Sequence, residues 1–147
     1  KALGNGVPIS ALTGRKKYFT FDDMSSTHSG HLLGCAAGLK ALEIYENLNL
    51  KELERNSLSI KNELTYLINA YKEVKDVNCK GLIASVVFKD KKTADKVTLE
   101  AMKEGLLLVN THRESVKIGP PLTISNEVLC EGLTILDRAI SKVLKGK

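Results

Sequence analysis

Gly81-Leu82-Ile83-Ala84-Ser85-Val86-Val87-Phe88 (residues 81–88) is the stretch on which the fold turns. Before it, apolar residues recur at helical spacing. Within it they are nearly continuous and rich in β-branched side chains, and the run is bounded by Gly81 and Asp90. That combination reads as a buried strand. On its N-terminal side, about Leu50 to Tyr71 predicts a helix. Leu53, Ile60, Leu64, Leu67, Ile68 and Tyr71 form its apolar stripe, and Lys and Glu fill the opposite face. The period changes over Val74–Lys89. A further helix is expected from about Lys92 to Glu104, with Gly105 as its C-terminal stop. Leu106–Val109 and Ser115–Ile118 read as two strands around a polar turn, and Gly119-Pro120-Pro121 blocks a helix there. Ser125 suits the N-cap of a last helix, Asn126 to about Leu144. The second half is therefore α-β-α-β-β-α, a compact α+β unit with a small antiparallel sheet.

The first part of the chain reads differently. Residues 1–14, Lys-Ala-Leu-Gly-Asn-Gly-Val-Pro-Ile-Ser-Ala-Leu-Thr-Gly, are a Gly/Pro loop leading into an expected short buried strand, Val7 to Leu12. Residues 15–29 have loop composition. From Leu32 to about Glu46 the pattern is helical and apolar on most sides, with Gly34, Ala37, Gly38 and Ala41 forming a small-residue face. A helix of that kind is expected to be buried. One strand and one loop cannot bury themselves, so this part reads as the end of something larger.

At 147 residues the chain can enclose a sizeable core, and its 43% hydrophobic and 27% charged content is that of a globular protein. The net charge of +5 is spread along the chain and interleaved with acids, as in Lys51-Glu52-Leu53-Glu54-Arg55, and aromatic residues are only 5%. That is a solvated surface, not the concentrated basic face with stacking aromatics that nucleic acid requires. No apolar stretch approaches the length of a membrane span. Cys35, Cys79 and Cys130 are far apart and odd in number, which argues against a secreted disulfide framework and makes a cytoplasmic location the expectation.

Three places carry candidate chemistry. Lys1 is either a terminal residue or a reactive amine with room beside a glycine loop. That loop, Leu3-Gly4-Asn5-Gly6, lacks the Gly-Lys-Ser/Thr of a phosphate-binding P-loop. Ser25-Ser26-Thr27-His28-Ser29-Gly30 sets hydroxyls directly before a helix. They serve either as an ordinary N-cap or as donors to an anion such as phosphate. His28, His31 and His112 have no metal-ligand spacing and read as loop or cap residues. Lys117 is a lone charge within Val116-Lys117-Ile118. It is either an exposed edge-strand lysine or a cation directed at a carboxylate.

Taken together and in order, these pieces resemble the class III pyridoxal-phosphate aminotransferases, the group of ornithine, acetylornithine and 4-aminobutyrate aminotransferases. Lys1-Ala2-Leu3-Gly4-Asn5-Gly6-Val7-Pro8-Ile9-Ser10-Ala11 resembles the segment that begins at the family's Schiff-base lysine. Thr27-His28-Ser29-Gly30-His31-Leu32 stands where the family has Thr-x-x-Gly-Asn-Pro. Gly81-Leu82, Gly105-Leu106-Leu107, Lys117-Ile118-Gly119-Pro120-Pro121-Leu122-Thr123-Ile124 and Glu131-Gly132-Leu133 follow at matching places of the small domain. The resemblance covers the family's C-terminal third.

The resemblance implies an α/β protein of fold type I. Residues 1–46 would be the end of the large cofactor-binding domain and an interdomain helix, and 47–147 the small C-terminal α+β domain. It implies that Lys1 bonds pyridoxal 5′-phosphate and moves the proton between Cα and C4′, a role that needs a primary amine kept usable near neutral pH. Thr27, with Ser26, would bind the cofactor phosphate of a neighbouring subunit, which implies a homodimer with shared active sites. The substrates would be an amino donor and a keto-acid or aldehyde acceptor.

Three positions depart from the family. Asn5 replaces a common glycine, His31-Leu32 replaces Asn-Pro, and Lys117 replaces an arginine that helps place a substrate carboxylate. Lysine keeps the charge and loses the bidentate fork. An aminomutase or racemase on the same fold, or a non-catalytic truncated module, are the alternative readings. The aspartate that pairs with the pyridine nitrogen, the ring-stacking aromatic and the glycine-rich phosphate cup precede the lysine in the family. The 147 residues alone are thus expected to be inactive, because the cofactor would lack its electron-sink partner. Transamination of any amino acid by a preparation of these residues only, with added pyridoxal phosphate, would overturn that expectation.

Overall fold

The computed structural model describes residues 2–20 and 26–146. The chain divides into two compact units, Lys1–Leu48 and Asn49–Lys147.

In the first unit a turn over residues 2–6 closes with the Val7 N–H donating to the Gly4 carbonyl (3.0 Å). A 3-10 turn follows at Lys16–Tyr18, and then α1, Leu32–Glu46. The cap of α1 is His31, whose Nδ1 accepts the Gly34 N–H at 3.3 Å. The face that α1 buries is the small one: Gly34, Gly38 and Ala41. A Cβ at Gly34 would stand 3.3 Å from the Pro8 carbonyl, and one at Gly38 would stand 3.3 Å from Ile9 Cδ1. Residues 3–9 therefore lie directly on the helix where side chains are missing. The Tyr45 hydroxyl donates to the Ala2 carbonyl at 2.9 Å and fastens the same segment.

Two expectations fail in this unit. Val7–Leu12 is not a strand, because no other described segment of the unit offers it a hydrogen-bonded neighbour. The larger side chains of α1 are not buried either. Leu32 is 84% exposed and Leu33 and Leu39 are each 69% exposed. The segment lying on the small-residue face is too short to cover the others.

The second unit is a two-layer α/β structure. Helix α2 (Leu50–Ala70) starts at Asn49, whose side chain accepts the Glu52 N–H at 3.3 Å. The strands are β1 (Val74–Lys80), β2 (Ile83–Phe88), β3 (Val109–Asn110) and β4 (Ser115–Ile118), with α3 (Lys91–Lys103) between β2 and β3 and α4 (Asn126–Lys145) last. They form one antiparallel sheet in the order β1-β2-β4-β3. The sequence expectation of three strands becomes four, since Val74–Lys80 is a strand in its own right. It pairs with β2 through the two-residue turn Gly81-Leu82, where Gly81 has φ +60°, the left-handed conformation such tight hairpins need. Strand β3 is shorter than the expected Leu106–Val109. Leu106 and Leu108 turn to pack on the core instead of extending the ladder.

The strand period decides which face is covered. Ala84, Val86 and Phe88 of β2, with Val116 and Ile118 of β4, are buried under the three helices. Ser85 and Lys117 project from the other face. The helices meet the sheet with Ile60, Leu64 and Leu67 from α2, Ala94 and Val97 from α3, and Leu133, Leu136 and Ile140 from α4. Their caps are local. Asp90 accepts the Thr93 N–H at 2.8 Å and Ser125 accepts that of Val128 at 3.4 Å, the latter as expected from the sequence. Helix α3 ends before Gly105 (φ +89°).

One fully buried polar side chain, Asn56, donates to the Ile124 carbonyl (2.9 Å) and accepts from Asn126 Nδ2 (3.0 Å). It ties α2 to the entry of α4. At the other end of α2 the Tyr71 hydroxyl donates to Asp137 Oδ1 at 2.7 Å, and burial together with that carboxylate pushes the Tyr71 hydroxyl up to about 12.

Two expected outcomes follow from this packing. Phe88→Ala empties the centre of the core and costs about 3–5 kcal/mol in chemical denaturation, against the much smaller effect of a surface change. Glu63 is pushed above its ordinary value of 4.5, first by burial and then by the Asp137 carboxylate. A carboxyl with a raised folded pKa favours the folded state fully below its unfolded value and loses that contribution as pH rises through the folded one. Glu63→Gln therefore raises the melting temperature at about pH 7 and leaves it nearly unchanged at about pH 4. An equal shift at both pH values would refute this assignment.

Candidate functional site

The sequence-nominated residues fall in both units. Lys1 lies outside the described residues, as does Ser25. Ser26 and Thr27 are exposed in the turn that precedes α1. The Ser29 N–H donates to the Ser26 carbonyl (3.0 Å), the Ser26 N–H donates to Ser29 Oγ (2.9 Å), and the two hydroxyls are 2.9 Å apart. Gly30 (φ +71°) then turns the chain into the His31 cap. Because His31 Nδ1 accepts the Gly34 N–H, its neutral ring carries the proton on Nε2.

Ahead of α1 a hollow of about 810 Å³ opens within the first unit. Ser10, Ser26, His28, Ser29, His31 and Cys35 supply its polar lining, with no carboxylate among the described residues that line it. Ser26 reaches this hollow, whereas Thr27 stands in the turn beside it and does not line it. Serine hydroxyls next to the start of a 15-residue helix suit an anionic group such as a phosphate. The sequence offers the hydroxyls as an N-cap and His31 as a loop or cap residue, and the cap falls to His31.

In the second unit Lys117 is exposed at the middle of β4 between buried Val116 and Ile118. Its sheet neighbours in register are Ser85 on β2 and Val109 on β3. Among the described residues it forms no ion pair. It borders a groove of about 420 Å³ between α4, the segment before β3 and the end of β4. No sequence signal marks this groove, because its walls come from three stretches separated along the chain.

Known proteins show the family. A family model described as "Aminotransferase class-III" matches residues 1–140. The chain is 32% identical over 146 residues to the acetylornithine aminotransferase of Caldanaerobacter subterraneus subsp. tengcongensis, a match covering 97% of this chain and 37% of that protein. It is 34% identical over 161 residues to the leucine/methionine racemase of Thermococcus litoralis, covering 100% of this chain and 36% of the relative. Among solved structures, the acetylornithine aminotransferase from Elizabethkingia anophelis superposes with a TM-score of 0.70 at 28% identity, covering 80% of this chain and 30% of that one. The chain thus spans roughly a third of the length of the relatives it matches. The family's cofactor is pyridoxal 5′-phosphate, and the fold is that of the pyridoxal-phosphate transaminases. With the family match running over residues 1–140, the chain belongs to the class III aminotransferases.

Proposed function

We propose that this chain is the C-terminal portion of an aminotransferase that moves an amino group between an amino acid or amine and a keto acid or aldehyde. The observation that carries this reading is the family match over residues 1–140, nearly the whole chain. In this reading residues 1–46 end the large cofactor-binding domain and 47–147 form the small domain. The working protein is a cytoplasmic homodimer with shared active sites.

Bound pyridoxal phosphate supplies the electron sink that makes the substrate Cα–H acidic. The residues of this chain do the rest. Lys1 holds the cofactor through its side-chain amine and carries the proton between Cα and C4′. The Thr27 hydroxyl donates to the cofactor phosphate. Ser26 assists from the hydroxyl-lined hollow before α1, whose donors favour that group. Lys117 meets a substrate carboxylate through a single charged contact, without the paired contacts of an arginine fork.

A second reading, racemisation on the same cofactor, is favoured by one observation: the leucine/methionine racemase of Thermococcus litoralis is 34% identical across the entire chain. Both readings use Lys1 and Thr27, and they part at the product.

The test uses the full-length gene product loaded with pyridoxal phosphate. Borohydride reduction is expected to leave a pyridoxyl adduct on Lys1, and an adduct on another lysine would overturn the assignment. Thr27→Ala is expected to weaken cofactor binding roughly tenfold or more, the scale of one hydrogen bond to a charged group. Incubation with a single amino acid and no acceptor separates the readings. A stoichiometric keto acid marks the aminotransferase, and catalytic loss of optical rotation without keto acid marks the racemase.

A further inference from the structure

The turn that opens the first unit holds an asparagine whose surroundings favour a reaction with its own backbone. The Val7 N–H donates to the Gly4 carbonyl at 3.0 Å, and the residues between them, Asn5 and Gly6, have φ +44° and +107°. Positive φ at both central positions is the I′ turn pattern, which selects Asn-Gly. This is the one Asn-Gly pair in the sequence. Asn5 is exposed, and its side-chain amide has no hydrogen-bond partner among the described residues. The Gly6 N–H takes no part in the bond that closes the turn, nor in any other among the described residues. Gly6 carries no side chain, and a Cβ built there would meet nothing within 4 Å, so open space surrounds that peptide. A held amide, a bonded N–H or a bulky following residue would each keep the Gly6 nitrogen from the Asn5 Cγ, and none of these is present. Asn56 is the opposite case. It is followed by Ser57, it is fully buried, and its amide is held by the Ile124 carbonyl and by Asn126.

We propose that Asn5 is a self-modification site, at which the Gly6 backbone nitrogen attacks the Asn5 Cγ and the side-chain amide leaves as ammonia. The Gly6 N–Cγ bond forms, the Cγ–Nδ2 bond breaks, and the Gly6 N–H proton departs with the ammonia. The product is a cyclic succinimide. Water then opens the ring at one of its two carbonyls and leaves an aspartyl or an isoaspartyl residue at position 5. Nothing is oxidised or reduced, and water is the sole co-reactant. Either product places a new negative charge in the loop that follows Lys1, and the isoaspartyl form also adds a methylene to the backbone of the turn. The reaction needs only this turn and water, so it is independent of the aminotransferase reading.

The experiment incubates the folded full-length gene product at mildly alkaline pH, beside a sample unfolded in guanidinium. Trypsin then releases the peptide of residues 2–15, which carries Asn5, and that of residues 56–61, which carries Asn56. Both are followed by mass spectrometry against samples taken at the start. In the folded protein the Asn5 peptide is expected to gain about 1 Da with time, the difference between an amide and an acid. It is expected to separate into aspartyl and isoaspartyl forms on chromatography. The Asn56 peptide is expected to keep its mass until the protein unfolds. Isoelectric focusing of the folded protein should show an acidic form that grows with time and is reduced or absent in Asn5→Gly.

Three results would overturn the proposal. If Asn5 keeps its amide in the folded protein while the unfolded sample loses it, the turn protects the residue instead of exposing it. If the product is aspartyl alone, the amide was hydrolysed directly and the Gly6 nitrogen took no part. If Asn5 and Asn56 react equally fast in the folded protein, the geometry of the turn is not what selects the site.

Discussion

The contact on which the second unit depends is Val86 against Val116, paired in register at the centre of the sheet and both fully buried. The period of two along each strand follows from it. Once these two face the helices, Ala84, Phe88 and Ile118 must face them too, and Ser85 and Lys117 must face away. A slip of one residue between β2 and β4 would put Lys117 into the core and Val116 into water. The hydrophobic cost of that exchange makes the register strict, and the strict register is what presents a lysine on the open face.

The first unit is organised by the opposite device. There the important side chains are the missing ones. Gly34 and Gly38 let residues 3–9 lie on α1 at backbone distance, and the Tyr45 hydroxyl closes the arrangement at Ala2. The leucines of α1 are left in solvent. The hydroxyl-lined hollow stands where this segment passes the start of the helix, with the His31 cap holding the helix entry. Its makeup follows from two local facts: serines favour turns, and a helix start has spare N–H donors.

Much of the fold was legible in the sequence, and the reason differs by element. Helices α1, α2, α3 and α4 each start and stop within about a residue of their expected places, because caps and the 3.6-residue period are local. Strand β2 was legible from Leu82 to Phe88 because a central strand must be apolar. Strand β1 was not, since Val-Lys-Asp-Val-Asn-Cys-Lys is an edge strand that needs few buried residues. Val7–Leu12 has strand composition without a strand, because composition does not provide a hydrogen-bonding neighbour. At the candidate sites, Ser26, Thr27 and Lys117 stood out as residues and His31 read as a loop or cap residue, while the walls of the groove did not stand out.

The sequence by itself determined the helices, the central strand, the isolated charge of Lys117 and the match to the class III aminotransferase family. These depend on residues a few positions apart or on inherited order, and both can be read along a line. Only the tertiary structure decided which leucines are buried, that β1 joins the sheet, and that residues from the segment before β3, the end of β4 and α4 enclose one apolar groove beside Lys117. Burial and strand pairing are relations between residues far apart in the chain, and their free energy appears only when those residues meet.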